Sequence, residues 1–223
     1  IDINILEKSI KKYNPKAVIT VDLYGQSCQY EEILEICKKN NVKVIEDAAE
    51  ALGSTYKTKK CGTLGEISIL SFNGNKIMTT GGGGMLLSDN ENFVKKAKYL
   101  STQAREPVLH YEHKELGYNY RMSNILASIG RGQLEQIDSK VNKRREVFNY
   151  YEESLKSIDG LDFMPEANYG RSNRGLTCLT VDKQKTQNDN DKSTTNKNKN
   201  EENKDNVVDA DFEDVKEDKE KSA

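Results

Sequence analysis

The chain has 223 residues, of which 35% are hydrophobic and 31% charged, with a formal net charge of −2. Both signs are interspersed, so no basic face is offered to a nucleic-acid backbone or to an anionic membrane, and no apolar run approaches the roughly 20 residues of a membrane span. The low mean hydropathy, −0.81, comes from the end of the chain, where residues 184–223 hold one aromatic, Phe212, and neither glycine nor proline.

In chain order, Leu6 to Tyr13 has helical spacing, with Leu6 and Ile10 on one side, and Asn14-Pro15 is expected to end that helix. Ile1 leads straight into this polar, amphipathic segment rather than into a signal peptide, so a cytoplasmic protein is expected. Ala17 to Val21 reads as a buried strand, Gln29 to Asn40 as an amphipathic helix, and Val42 to Glu46 as a second strand. Strand, crossover helix and strand of these lengths make a right-handed unit with parallel strands. Two further strands, Ile67 to Phe72 and Gly84 to Ser88, flank a glycine-rich loop, and helical periodicity follows over residues 91–101, 123–135 and 138–158. The tail from residue 183 cannot bury enough apolar surface to offset chain entropy and is expected to be disordered.

In open parallel sheets ligands bind beyond the carboxyl ends of the strands, so the residues just after each strand are the ones to inspect. After the second strand stands EDAAEALGS, residues 46–54, and after the third SFNGNKIMTTGGGGM, residues 71–85. The carboxylate of Asp47 and the amine of Lys76 together meet the two needs of a pyridoxal cofactor. The lysine holds the aldehyde as a Schiff base, and the carboxylate keeps the pyridine nitrogen protonated. Ser71 adds a hydroxyl for the phosphate. Each also has a plainer reading: Asp47 as a turn cap, Lys76 as a surface lysine, Glu50 as a loop acid, and Asn119 as a helix-entry residue with Tyr118 and Tyr120 packing beside it. The glycine run 81–84 fits a tight turn or, in a nucleotide-binding module, a phosphate loop, but matches neither GxGxxG nor GxxxxGK[ST].

The four cysteines have irregular spacing and no CxxC pair, so they read as reduced, mostly buried small hydrophobes. His110 and His113 flank Glu112 with no third ligand nearby, a polar connecting segment rather than a metal site.

The order of EDAA, SFxxxK with TTGxGGM, and LGYNYRMS at Leu116 to Ser123 resembles the DegT/DnrJ/EryC1/StrS family of sugar aminotransferases, which are fold-type-I pyridoxal 5'-phosphate (PLP) enzymes. The resemblance implies an α/β fold, the partial large domain of that class: a mostly parallel sheet with helices on both faces over residues 1–160. The start of a small domain is implied over 161–182, followed by the tail, 183–223. It implies Lys76 as the catalytic, Schiff-base lysine and Asp47 as the acid at the ring nitrogen. Glu50 is implied near the ring hydroxyl, Ser71 at the phosphate, and Asn119 reaching a partner's cofactor phosphate in a homodimer. SFNGNK and DLYGQ, residues 22–26, are most like the members that aminate carbon 4 of a UDP-linked 4-keto-6-deoxy sugar for surface glycans, with glutamate as donor. The resemblance begins in the middle of the family's large domain, and Gly175 stands where similar members carry tryptophan. An inactive truncated homologue acting as a subunit-association module is therefore the alternative expectation.

Overall fold

The structure, a computed structural model, describes residues 1–182. Helix α1 (Ile3–Tyr13) starts on Asp2, whose carboxylate accepts from the Asn4 N–H, and ends where Asn14 turns left-handed (φ 44°) before Pro15. Strand β1 (Ala17–Val21), helix α2 (Tyr30–Lys39) and strand β2 (Lys43–Asp47) follow, the two strands running parallel in unbroken five-residue register. Strand β5 (Ile67–Ser71) adds parallel to β2, and β6 (Gly84–Leu87) returns antiparallel beside β5, giving the order β1-β2-β5-β6. Helices α3 (Glu91–Ser101), α4 (Asn124–Leu134) and α5 (Ile137–Leu155) complete the α/β layering.

Side chains alternate across a sheet, so the register sorts the two faces. One face carries Val18, Val44, Thr20, Glu46, Ser68 and Leu70; α1 and α2 cover its lower half with Leu6, Ile10, Ile33 and Cys37. The other carries Ile19, Val21, Asp47 and Ser71, and there Ile19 and Val21 are 60% and 46% exposed.

The covered face is unusually polar, and its polar groups pair with one another. Glu46 is wholly buried and accepts from the N–H groups of Gly62, Leu64 and Gly65 (2.5, 2.7 and 3.2 Å) and from the Ser68 hydroxyl (2.7 Å), an all-acceptor role that matches a carboxylate. Beside it, Asp22 Oδ1 accepts from the Tyr30 hydroxyl (2.8 Å) and the Cys28 N–H (3.0 Å), while its buried Oδ2 finds no partner among the described residues. Burial, aided by the neighbouring Glu46, pushes the Asp22 carboxyl up to about 6. The folded protein therefore holds this proton more tightly than the unfolded chain does. The associated stability is full below the ordinary value of 3.8 and is lost as pH rises to about 6. We expect Asp22→Asn to lack this part of the pH dependence, about 2–3 kcal/mol in the parent across that window; urea midpoints of both proteins across the window check this. Equal pH slopes would refute it.

Three short strand pairings were not anticipated. β3 (Thr55–Tyr56) and β4 (Lys59–Lys60) form a hairpin extended by β8 (Gly170–Arg171), and β7 (Leu161–Phe163) pairs with β9 (Leu179–Val181). Strands of two or three residues leave no periodicity to read. Helix α5 clasps this later segment: Arg145 makes a two-pronged contact with Glu166 (2.5 and 2.9 Å) and donates to Ser172 O, and Arg174 lies 3.7 Å over the Phe148 ring. The expected disordered tail, 183–223, lies outside the described residues.

Candidate active site

Lys76 sits in the loop joining β5 to β6, and both ends of that loop are closed. Phe72 donates its N–H to Gly83 O (3.0 Å), and Phe72 O accepts from Thr80 N–H (3.0 Å) and the Thr79 hydroxyl (3.1 Å). Gln133 of α4 then clamps Thr79 in both directions, accepting from its N–H (3.2 Å) and donating to its carbonyl (2.6 Å). The glycine run thus closes the loop and leads into β6 and does not open a helix, so it lacks the converging helix-terminal amides that hold phosphates.

The Lys76 amine points to Glu50, 3.3 Å from Oε1, with the two side chains only 17% and 25% exposed. Glu50 stands in the turn after β2 and is held from the other side by the Tyr24 N–H, 2.7 Å from Oε2. Tyr24 reaches that position in a left-handed conformation (φ 54°), uncommon for a bulky residue, inside a single 3-10 turn, Leu23–Gly25. Tyr24, Asn75, Ile77, Gly175 and Leu176 enclose the pair. Tyr24 also borders a wider cleft of about 710 Å³ shared with Phe163, Met164 and Cys178.

Asp47 and Ser71 occupy the carboxyl ends of adjacent strands. Asp47 is in register with Ile69, so Ser71, two residues on, projects from the same face, with backbones roughly 8 Å apart for ordinary strand spacing. Asp47 accepts one hydrogen bond, from the Ala49 N–H (3.1 Å), and its other oxygen takes none from the described residues. The Ser71 hydroxyl accepts weakly from the Asn73 N–H at 3.4 Å. Neither residue lines the Lys76–Glu50 pocket itself.

Asn119 lies elsewhere. It is exposed, bridged to Thr102, in a segment strapped to the end of α3 by Tyr118 N–H to Leu100 O and Tyr120 N–H to Ser101 O, each 2.9 Å. Tyr118 and Tyr120 do not pack inward: they stack on each other at 5.1 Å in the open, near exposed Leu116 and Ile125.

Of the cysteines, Cys37 and Cys61 are buried and Cys28 and Cys178 half-buried, all as free thiols. Asp22, Glu46 and Cys61 bring one ligand-type atom each within 4.8 Å of one another, but Glu46 already accepts four hydrogen bonds and burial pushes the Cys61 thiol far up. That trio is read as part of the core. His113 Nδ1 is engaged with Gln103 O (2.9 Å) and His110 with Glu112 (3.2 Å), as suits a polar connection.

Sequence reading missed Tyr24, Glu46 and Asn173. Tyr24 acts through its backbone, Glu46 was overshadowed by its neighbour Asp47, and Asn173 had no motif around it that spoke of chemistry. A pairing of Glu46 with the glycine-bounded turn 62–65 was the one signal available.

Parallel strands whose carboxyl ends carry a carboxylate and a hydroxyl, with a lysine–carboxylate pair in the next loop, define an α/β domain of the fold-type-I class. Solved structures agree: Helicobacter pylori PseC, an aminotransferase involved in the biosynthesis of pseudoaminic acid, superposes with a TM-score of 0.76 at 27% identity over 82% of this chain and 50% of its own. The chain belongs to the DegT/DnrJ/EryC1/StrS aminotransferase family, whose family model it matches over residues 1–203. It is 56% identical over 168 residues to the Bacillus subtilis protein named "Putative pyridoxal phosphate-dependent aminotransferase EpsN", covering 75% of this chain and 43% of that protein. It is 46% identical to the GDP-perosamine synthase of Caulobacter vibrioides over 64% of this chain and 38% of that protein. The chain thus spans less than half the length of these two relatives.

Proposed function

We propose that this chain carries the cofactor-holding core of a PLP-dependent aminotransferase. The enzyme would pass an amino group from glutamate to a nucleotide-linked 4-keto-6-deoxy sugar for surface-glycan biosynthesis, in the cytoplasm and as a homodimer. The observation that carries this reading is the part-buried Lys76–Glu50 pair beyond the carboxyl ends of the parallel strands. Relatives named as nucleotide-sugar enzymes support it, among them the GDP-perosamine synthase above and a Campylobacter jejuni UDP-4-amino-4,6-dideoxy-N-acetyl-beta-L-altrosamine transaminase, 34% identical over 78% of this chain.

The residues present fit the cofactor. Lys76 offers a primary amine in a half-enclosed pocket, Asp47 a carboxylate oxygen not otherwise bonded, and Ser71 a hydroxyl on the same face as Asp47. Bound there, PLP supplies an electron sink. Lys76 would hold it covalently and, once released, carry the proton between substrate and cofactor carbons. Asp47 would face the ring nitrogen and favour its protonated form, because an opposite charge stabilises a cation. Ser71 would donate to the phosphate, and Glu50, steadied by the Tyr24 amide, would lie near the ring hydroxyl while balancing the Lys76 ammonium. Asn119, exposed on its strap, would serve the partner's cofactor phosphate. The cleft beside Tyr24 gives room for the sugar substrate.

The half-reactions test the assignment. Glutamate is expected to bleach the visible band of the PLP-loaded protein, and a UDP-linked 4-keto-6-deoxy sugar to restore it. Restoration by the GDP-linked sugar instead would correct the nucleotide, and a band indifferent to every amino acid would refute transamination. A second reading, a subunit-association module, is favoured by the exposed Leu109, Leu116, Tyr118, Tyr120 and Ile125. It predicts a colourless protein that pairs with a full-length homologue.

A further inference from the structure

Asn173 is wholly buried, and its backbone N–H and both ends of its side-chain amide are hydrogen-bonded. Its side-chain amide nitrogen donates to two carbonyls of the turn after β2, Glu50 O (2.8 Å) and Leu52 O (2.9 Å). Its Oδ1 accepts from the Gly175 N–H (2.8 Å), and its own N–H donates to the Ser54 hydroxyl (2.9 Å). Ser54 in turn donates to Gly25 O (2.7 Å). Two carbonyls on one end and an N–H on the other fix which way the amide points, since only the nitrogen can donate.

These bonds converge on one carboxylate. The Glu50 side chain has two anchors, the Lys76 amine and the Tyr24 N–H. Asn173 grips the Glu50 backbone directly, and it also meets the turn bearing Tyr24. Gly25 adopts φ +84°, and a side chain there would overlap Asn173 Oδ1. One amide, arriving from a segment more than 120 residues later in the chain, thus spans both backbones that aim the Glu50 carboxylate, and it holds Gly175 at the pocket wall.

We propose that Asn173 is a positioning residue that holds Glu50 against Lys76. Through it the 172–176 segment reports its own placement to the lysine: while that segment is docked, the lysine has a fixed counter-charge, and when it lifts, the counter-charge is released. This rests on the reading of Lys76 and Glu50 given above, but its test does not need the cofactor. A paired, shielded ammonium reacts slowly with an acylating or arylating reagent, because only the free amine attacks.

The experiment is labelling of the full chain, without PLP, by trinitrobenzenesulfonate, with the rate at each lysine read by peptide mass spectrometry. In Asn173→Ala the Lys76 rate is expected to rise several-fold, because the amine loses its held counter-charge and part of its screening, while exposed Lys8 keeps its rate. Glu50→Gln is expected to do the same, and the double variant to add nothing to Glu50→Gln alone, since Asn173 acts through Glu50. Ser54→Ala, a milder cut in the same strap, is expected to give a smaller rise, and it decides the matter should Asn173→Ala not fold. The proposal is overturned by an unchanged Lys76 rate in a folded Asn173 or Ser54 variant, by equal acceleration at Lys8, or by additive effects in the double variant. If labelling follows the expected pattern but PLP does not bind, the cofactor reading fails and the role of Asn173 stands.

Discussion

Mixed with PLP, the purified chain is expected to turn yellow and to carry the cofactor on one lysine after borohydride reduction. Lys76→Ala is expected to lose both the colour and the label. The argument is positional. Lys76 is held in a loop tied at both ends, its amine is largely screened from water beside a carboxylate, and the acid and hydroxyl that suit the ring nitrogen and phosphate end the two adjoining strands. Losing the covalent link should weaken binding by at least ~100-fold, about 3 kcal/mol. Lys76→Arg sharpens the test: the guanidinium can still pair with Glu50, so folding is kept, but it offers no primary amine. A visible band that survives in Lys76→Arg, or a reduced label on another lysine, would remove the basis of the assignment.

Glu46→Ala is expected to be the most damaging single substitution for stability. The carboxylate closes the turn 62–65 onto the sheet, and its loss strands three backbone N–H groups and the Ser68 hydroxyl in a buried place. Unsatisfied buried donors cost about 1–3 kcal/mol each, so a loss of about 4–5 kcal/mol is expected, comparable with the whole stability of many domains. Glu46→Gln should cost less, because a carbonyl oxygen in the Oε2 place still accepts from Leu64, Gly65 and Ser68 and the NH2 opposes only the Gly62 N–H. Urea unfolding with circular dichroism measures this, and a loss below about 1 kcal/mol would show that water or relaxation fills the gap.

The elements with several turns or alternations were legible in the sequence. Helices α1 to α5 fall within a few residues of their expected spans; α1 and α2 bury an apolar stripe, Leu6 with Ile10 and Ile33 with Cys37, whereas α3 carries the periodicity without burying a side chain. β1, β2, β5 and β6 were legible from their short apolar runs, although β6 itself is mostly exposed. What escaped was held by non-local pairing: β7 and β9 are joined across residues 164–178, and β8 finds β3 more than 100 residues earlier. The candidate site divides along the same line. Lys76, Glu50, Asp47 and Ser71 were readable because their motifs stand in order after strands. Tyr24 and Asn173 were not, since one contributes a backbone N–H in an uncommon conformation and the other an amide whose partners lie in another part of the chain.

The reversed direction of β6 bears on how the lysine can move. Because β5 and β6 are zipped together as far as Ser71 with Gly84, and Phe72 bonds both Gly83 and Thr80 just beyond, the loop carrying Lys76 is rooted at both ends on one antiparallel pair. Rotation about the four methylenes of Lys76 can then carry the amine between partners without parting the two strands.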